Sequence, residues 1–481
     1  MCSPPPGSRE LENRRGAKGS EPGLDTGRMT VPRPSNGHVV LLTGATGFVG
    51  KVVLYELLRR REELAVERIV VLLRADDHAL ARGRFRAKVL QSPCFAGESP
   101  GWEKCVEVLA GDVTREAFGL DAAALARVRS DVTHVIHCAA SVEFSLPLPS
   151  ATETNVTGAL YALELAKSCA RIASFVGIST AYVTPHPHPG ERAPFVAHER
   201  IAVLPRDPDV LYEAIRAGRV EARQLLAQSG HPNTYTFTKC LAEHLLVRRA
   251  GDLPLTLLRP SIVSASRSLP MPGWIDSPAA FATFVALIGT GRLRVVAGDP
   301  DVRLDIVPCD EVARRAALAA FAPPPPHAPR IVHVVAGLDG ASSLQLCREQ
   351  IVAHFEAQPD DGRPRLAWLG RRGARFRFEH GLRHEIPLRA AAAWSMLALR
   401  SDRARMALRL LERQRAVHRE FAYFTHATFD FRSSMPLDPP LEPVPYLKAV
   451  CTGVQRHLLR VRSRRVRSTE RPPALHESAE R

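Results

Sequence analysis

Residues 38–60 pass without a break from HVVLLT through GATGFVG into KVVLYELLRR. The first run is short and rich in Val and Leu, as in a parallel strand buried on both faces. The last run carries apolar residues at helical spacing. Between them stand Gly44, Gly47 and Gly50. Strand, glycine-rich turn and helix, in that order, form the context in which a dinucleotide is cradled. Gly44 permits the tight turn, Gly47 lets backbone approach a pyrophosphate, and Gly50 lets the helix pack on the strand. The N–H groups of the first helical turn then face the phosphates. The spacing is G-x-x-G-x-x-G rather than G-x-G-x-x-G, so the run alone also reads as a plain glycine-rich turn.

Further strands follow at intervals that fit a parallel sheet. Glu67 to Leu73 is the second, and Arg74 comes next. An acid at that place would bind the 2′-hydroxyl of the adenosine ribose, whereas an arginine accommodates a 2′-phosphate. Arg74 therefore favours NADPH over NADH; the plainer reading is a solvated loop arginine. Val106 to Ala110 is the third strand, with Asp112 and Val113 just past its end near the adenine. Asp131 to Ala140 is the fourth, and the small Ala139 and Ala140 let a cofactor lie against backbone. Asn155 opens the next helix, where an N-cap is the common role. Ser174 to Val183 holds the fifth strand, with Ser179 and Thr180 near the rim where open α/β sheets bind ligands. Leu255 to Arg259 is the sixth, and Arg303 to Asp310 and Arg330 to Val335 complete the set. The expected fold is α/β, a Rossmann-like doubly wound parallel sheet with a smaller, mainly helical C-terminal domain.

Tyr235 and Lys239 stand four residues apart in HPNTYTFTKCLAEHLL, one turn apart on one helix face. That spacing suits proton transfer at a carbonyl. A phenol has a pKa of about 10, and a neighbouring ammonium favours its ionised form and lowers that value. The same lysine can hold a sugar hydroxyl of a nucleotide. The competing reading is an exposed helix turn with a half-buried tyrosine.

The remaining features bound the function class. A chain of 481 residues has room for roughly two or three domains. Its formal charge of +15 is mostly arginine, which fits an anionic membrane, cofactor or substrate. Without an aromatic-basic RNA motif, zinc finger or basic zipper, nucleic acid is disfavoured as a partner. The 9 cysteines are scattered with no C-x-x-C, so reduced thiols in the cytoplasm are expected, and no metal site is assigned. No apolar leader and no run of about 18 apolar residues is found; the nearest, Ala390 to Leu399, is flanked by Arg389 and Arg400. Residues 1–36 read as a disordered extension and 468–481 as a disordered tail. The NADPH-binding Rossmann-like domain is assigned to 37–341, with His186 to Gly230 as an insertion on the substrate side. A helical domain is assigned to 342–467, with a Gly/Arg-rich linker over Gln358 to His384. Near the end Leu447, Val450, Val454, Leu458 and Val461 form a helical stripe. With Arg456, Arg460, Arg462, Arg464 and Arg465 around it, the stripe suits either peripheral contact with an anionic membrane or packing on the domain's own core.

Together these pieces resemble the extended short-chain dehydrogenase/reductases and, more narrowly, the alcohol-forming fatty acyl-CoA reductases. The resemblance covers about residues 38–460. It rests on TGATGFVGK (43–51), SPCF (92–95), GDVT (111–114), VIHCAASVEF (135–144), NVTGA (155–159), STAYV (179–183), PNTYTFTKCLAE (232–243), LRPSIV (258–263), PGWIDSP (272–278) and GDPDVRLDIVPCDEV (298–312). A C-terminal sterility-type domain is implied, matched more loosely by FAYFTHATFDF (421–431) and PVPYLKAVCTGVQRHLL (443–459). The resemblance implies Tyr235 as proton donor, Lys239 as its electrostatic partner and Thr180 as the hydroxyl that holds the substrate oxygen. It implies NADPH held by Thr43, Gly44, Thr46, Gly47, Phe48, Val49, Gly50, Arg74, Asp112, Val113, Ala139, Ala140, Tyr235 and Lys239. The implied reaction takes a long-chain acyl-CoA to the aldehyde and on to the primary alcohol. The alternatives are a carrier-protein thioester reductase that releases an aldehyde, a sterol- or sugar-acting extended dehydrogenase, and a non-catalytic cofactor-binding relative. A cytoplasmic location is expected, with peripheral membrane contact only if the C-terminal stripe faces outward. Chain length and oligomeric state are not encoded in these motifs.

Overall fold

Seven parallel strands, β1 (His38–Thr43), β2 (Val66–Arg74), β3 (Val106–Gly111), β4 (His134–His137), β5 (Ser174–Ile178), β6 (Leu255–Pro260) and β7 (Arg330–Val334), pair in the spatial order 3-2-1-4-5-6-7. This is a computed structural model, and it describes residues 37–184, 194–278, 280–357, 368–397 and 401–459. The order reverses between β1 and β4, the point at which doubly wound sheets bind ligands outside the strands' carboxyl ends. β1 is buried along almost its whole length, which explains its unbroken apolar run. Helix α1 (Phe48–Arg59) follows it, burying Val52, Val53, Leu54, Leu57 and Leu58. The helix α2 (Gly158–Lys167) continues a π-helical turn, Glu153–Thr157. Helix α3 (Thr234–Arg249) begins at Asn233, whose side chain accepts a bond from the Thr236 amide at 2.9 Å; such a cap stabilises by about 1 kcal/mol. On one face of the sheet, Leu41, Val70, Val135, Phe175 and Leu257 pack with Leu163, Phe237 and Leu241 in one apolar core.

A second core lies beyond the sheet and crosses the expected boundary at 341/342. It joins Ile262, Ile275, Phe281, Val285 and Leu304 to Leu344, Ile351, Phe355, Phe424 and Leu447. Of the later helices, α5 (Leu344–Glu356), α7 (Ser401–Thr425) and α8 (Pro443–Gly453) enter it, whereas α4 (Cys309–Phe321) packs on α1 and the sheet and α6 (Ile386–Leu397) packs on α7. Small parallel pairings stitch the C-terminal residues back: Phe429–Phe431 beside Phe195–Ala197, and Trp368–Gly370 beside Val295–Ala297.

Two expectations change here, and one open choice is decided. Arg303 to Asp310 adds no strand to the central sheet. Arg303–Leu304 pairs with Ser342–Ser343, Ile306–Pro308 pairs with Ile262–Ser264, and Cys309 opens α4. Its apolar run is buried in the second core, and periodicity alone does not say which core receives a run. The supposed linker is ordered from Trp368: a strand is followed by helix from Ala374, with Gly381–Glu385 as a π-turn leading into α6. Residues 358–367 lie outside the described residues. The stripe on α8 is core: Leu447, Val450 and Val454 are fully buried and Leu458 packs against them. Val461, Arg460, Arg462, Arg464 and Arg465 lie outside the described residues.

Helix α3 is fastened to β6 by a buried ion pair. Arg259 Nε donates to Glu243 Oε1 at 2.9 Å, with the two side chains 0% and 2% exposed. Removing one partner of such a pair strands a charge in low dielectric, at about 3–5 kcal/mol. Arg259→Leu should therefore lower the free energy of denaturant unfolding by that amount, and Arg259→Leu with Glu243→Leu should recover most of it. Equal stability of Arg259→Leu and the parent would show that the pair does not anchor the helix.

Candidate active site

The turn after β1 accepts only glycine at two of its three positions. Gly44 has φ +74°, and a Cβ there would sit 2.7 Å from the Ala139 amide nitrogen. A Cβ on Gly50 would lie 2.1 Å from the Gly44 carbonyl oxygen. Gly47 is the N-cap of α1 and brings no side chain to the first-turn amides, so the N–H groups of Phe48, Val49 and Gly50 are presented at the helix's positive end. Thr43 ties this turn to β4: its hydroxyl meets His137 Nδ1 at 2.9 Å and accepts from the Ala139 amide at 3.2 Å. Thr46 sits half-buried at the tip, and Ala139 and Ala140 line the strand end opposite. Arg74 ends β2 with its side chain exposed, and Arg84 donates to its carbonyl. Asp112 spends one carboxylate oxygen on its own turn, accepting from the Thr114 amide and hydroxyl, each at 2.9 Å. Val113 packs toward Gly158 at the start of α2. These backbone donors, small residues and a basic group at the end of β2 fit a dinucleotide.

Tyr235, Lys239 and Thr180 converge beside this cradle, at the carboxyl end of β5. Lys239 is buried, and its ammonium donates to the Ile178 carbonyl at 2.6 Å. Burial pushes it down to about 8, with Glu243 and then Cys138 acting the other way. Burial raises the Tyr235 phenol to about 12, and the hydrogen bond with Thr180 opposes that rise. The expectation that Lys239 would lower this phenol is not met: desolvation outweighs any neighbouring charge. At neutral pH the phenol therefore holds its proton and the amine is charged. That is the arrangement of an acid ready to protonate an oxyanion. Thr180 is buried and accepts from the Tyr182 amide at 3.3 Å. Its neighbour Ser179 has a buried hydroxyl with no partner among the described residues.

Two elements of the site were missed or misread in the sequence. Asn155 is not an N-cap. It lies inside the π-turn before α2, where its amide clamps the loop after β4 through the Ser141 amide at 2.8 Å and carbonyl at 3.1 Å. It also donates to Thr238 on α3 at 3.0 Å. NVTGA carried that signal, but residue spacing does not reveal long-range partners. The second is Phe144, whose ring lies 5.7 Å from Tyr235 and 6.1 Å from Phe424 of α7. It lines a cavity of about 400 Å³ with Leu146, Leu226, Pro232, Tyr423 and Arg419. A pocket of mainly apolar walls, joined by Ser145, Asn233, Thr234 and the cation Arg419, thus opens at the N-terminus of the helix that carries Tyr235. Lys51 and Asp276 form a further ion pair joining α1 to the PGWIDSP loop, and Trp274 of that loop stacks on Phe48 at 5.5 Å.

Comparison with known proteins gives this geometry a context. An NAD-binding family model described as "Male sterility protein" matches residues 42–316. Fatty acyl-CoA reductase wat of Drosophila melanogaster is 32% identical over 274 residues, covering 56% of this chain and 52% of that protein. The alcohol-forming fatty acyl-CoA reductase of Simmondsia chinensis is 29% identical over 317 residues, covering 59% of this chain and 63% of its own. Each match thus spans less than two thirds of the relative's length. The crystal structure of the terminal R domain from the myxalamid PKS-NRPS biosynthetic pathway shares the fold, with a TM-score of 0.59 at 20% identity, over 88% of this chain and 92% of that one.

The charge state of Lys239 sets a pH dependence. The value of kcat/KM for a carbonyl substrate, which reports on the free enzyme, should fall as pH rises through about 8, where Lys239 loses its proton. Lys239→Arg keeps the charge and should remove that limb from the profile. A limb that survives in Lys239→Arg belongs to another group.

Proposed function

The chain belongs to the Male sterility protein family, and on that premise we propose that it reduces a long-chain fatty acyl-CoA to the aldehyde and then to the primary alcohol, using NADPH. The cofactor of this family is a nicotinamide dinucleotide. The observation that carries the reading is the convergence of Thr180, Tyr235 and Lys239 beside the glycine turn, with the apolar cavity opening at Phe144. When bound, the cofactor supplies one hydride to each reduction.

The chain's own residues would do the rest. Thr180 and the Tyr235 phenol hold the carbonyl oxygen, so that charge developing there meets donors already in place. In the first reduction the carbonyl carbon gains the hydride, the thioester C–S bond breaks as the C=O bond re-forms, and CoA leaves as a thiolate that takes a proton from water, so the aldehyde remains. In the second, the oxygen takes its proton from Tyr235 Oη. An alkoxide is a stronger base than a phenolate, so the transfer runs downhill even from a phenol at about 12. Lys239, charged and held by Ile178, stabilises the phenolate left behind. Asn155 keeps the loop after β4 and helix α3 in register. Phe144 and Phe424 screen the carbonyl from water while the acyl chain occupies the cavity, and Arg419 at its wall suits the phosphates of CoA.

Incubating the purified chain with NADPH and a series of acyl-CoA chains tests this. Two NADPH oxidised per CoA released, with fatty alcohol as product, is the expected result. One NADPH per CoA with accumulating aldehyde would replace the second reduction. Turnover only of carrier-bound acyl chains would replace the substrate.

Arg74 supports NADPH in particular: it ends β2 exposed, beside Arg84, and has no ion-pair partner among the described residues. Charge-assisted hydrogen bonds contribute about 1.5–3 kcal/mol. Arg74→Ala should therefore weaken NADPH binding by about tenfold to a hundredfold and leave NADH binding unchanged, read by titrating the intrinsic fluorescence. Equal loss for both cofactors would make Arg74 structural.

A further inference from the structure

The C-terminal helices expose an apolar face that the core does not use. From Ala374 the chain is helical through the π-turn Gly381–Glu385 to the end of α6 at Leu397, and α6 packs against α7. The inward side of this run buries His384 and Ala392, and α7 buries Ala404 and Leu411. The outward side carries Phe378, Leu382, Ile386, Trp394 and Leu397, spaced at multiples of about one turn. Trp394 is 74% and Leu397 81% exposed. Met406, on the outward side of α7, adds to it at 68%. With Met396 and Leu408, eight large side chains are left in water on this helical hairpin, more than the scattered single exposures of an ordinary surface.

Charge borders the face. Residues 371–397 contain six arginines against Glu379 and Glu385. Arg383 and Arg389 are spent on those two carboxylates. Arg375 and Arg377, exposed beside Phe378, have no ion-pair partner among the described residues. An apolar face of Trp, Leu and Ile edged by arginine is what a helix lying in a lipid headgroup layer presents. No helix among the described residues is long and apolar enough to cross a membrane, so the face would lie on a bilayer rather than span it. The stripe on α8 is core and unavailable. Helix α7 gives the face a further use. Along its 25 residues, Met406 near the exposed end stands about 27 Å at 1.5 Å per residue from Tyr423 at the cavity and Phe424 against Phe144.

We propose that the outward face of the 374–397 helix and the start of α7 docks on an anionic lipid bilayer. The surface argument does not depend on the reductase reading, because vesicle binding is measured without substrate.

The test sediments the full chain with vesicles of phosphatidylcholine alone and with phosphatidylserine added, at low and high salt. Binding is expected to the anionic vesicles and to weaken with salt. Lipids with brominated acyl chains should quench the tryptophan fluorescence, and Trp394→Tyr should abolish that quenching while still binding. Ile386→Glu with Leu397→Glu, both at exposed positions, should cut partitioning by about tenfold or more and leave turnover of a short, soluble acyl-CoA unchanged. Binding that survives Ile386→Glu with Leu397→Glu, or that is lost only when Arg460, Arg462, Arg464 and Arg465 become Gln, overturns the assignment. So does a dimer in velocity sedimentation that Ile386→Glu with Leu397→Glu converts to monomer, which would make the face an interface between copies.

Discussion

A buried carboxylate, Glu243, sets both the position and the chemistry of the site. It pairs with Arg259 on β6 in full burial, which pins α3 across the carboxyl end of the sheet. One turn earlier on the same helix lies Lys239, whose amine burial pushes down to about 8 while the Glu243 charge resists that fall. One further turn back is Tyr235. An apolar contact could hold the helix as firmly, but it would supply no charge to oppose the desolvation of Lys239. The ion pair therefore connects sheet packing to proton chemistry within three turns of one helix.

The site forms where two apolar cores meet. The sheet core fixes β1, which leads into the glycine turn, and the buried side of α3, while Thr180 stands where β5 passes into residues of the second core. The second core brings α7 across, so that Phe424 reaches Phe144 and, through it, Tyr235. This explains why the C-terminal residues share a core with residues 262–306 rather than forming a separate lobe: their aromatic side chains complete a wall of the pocket. The same helix runs outward to the exposed apolar hairpin, so surface and pocket are joined by one continuous helix.

How much of this was legible in the sequence depended on the range of the interactions. The glycine turn, the buried strands and the Tyr235–Lys239 pair are local patterns, and they stand in the structure where their spacing put them. Arg303 to Asp310 was misplaced because a short apolar run does not show which core will bury it. The Gly/Arg-rich stretch before His384 looked like a linker, since its strand pairs with residues more than seventy positions earlier. The direction of the Tyr235 shift was missed because spacing reveals the neighbouring charge and not the desolvation that outweighs it. Asn155 and Phe144 act through partners on α3 and α7, which no single window of sequence contains.

The central claim is that the Tyr235 phenol gives its proton to the reacting carbonyl oxygen. Its most direct test is the rate of NADPH oxidation by Tyr235→Phe with a saturating fatty aldehyde, measured beside the dissociation constant for NADPH. The account predicts a rate lower by about 10²–10⁴-fold with the dissociation constant unchanged, since the ring still packs on Phe144 and Lys239 still bonds Ile178. Near-normal turnover in Tyr235→Phe would contradict it.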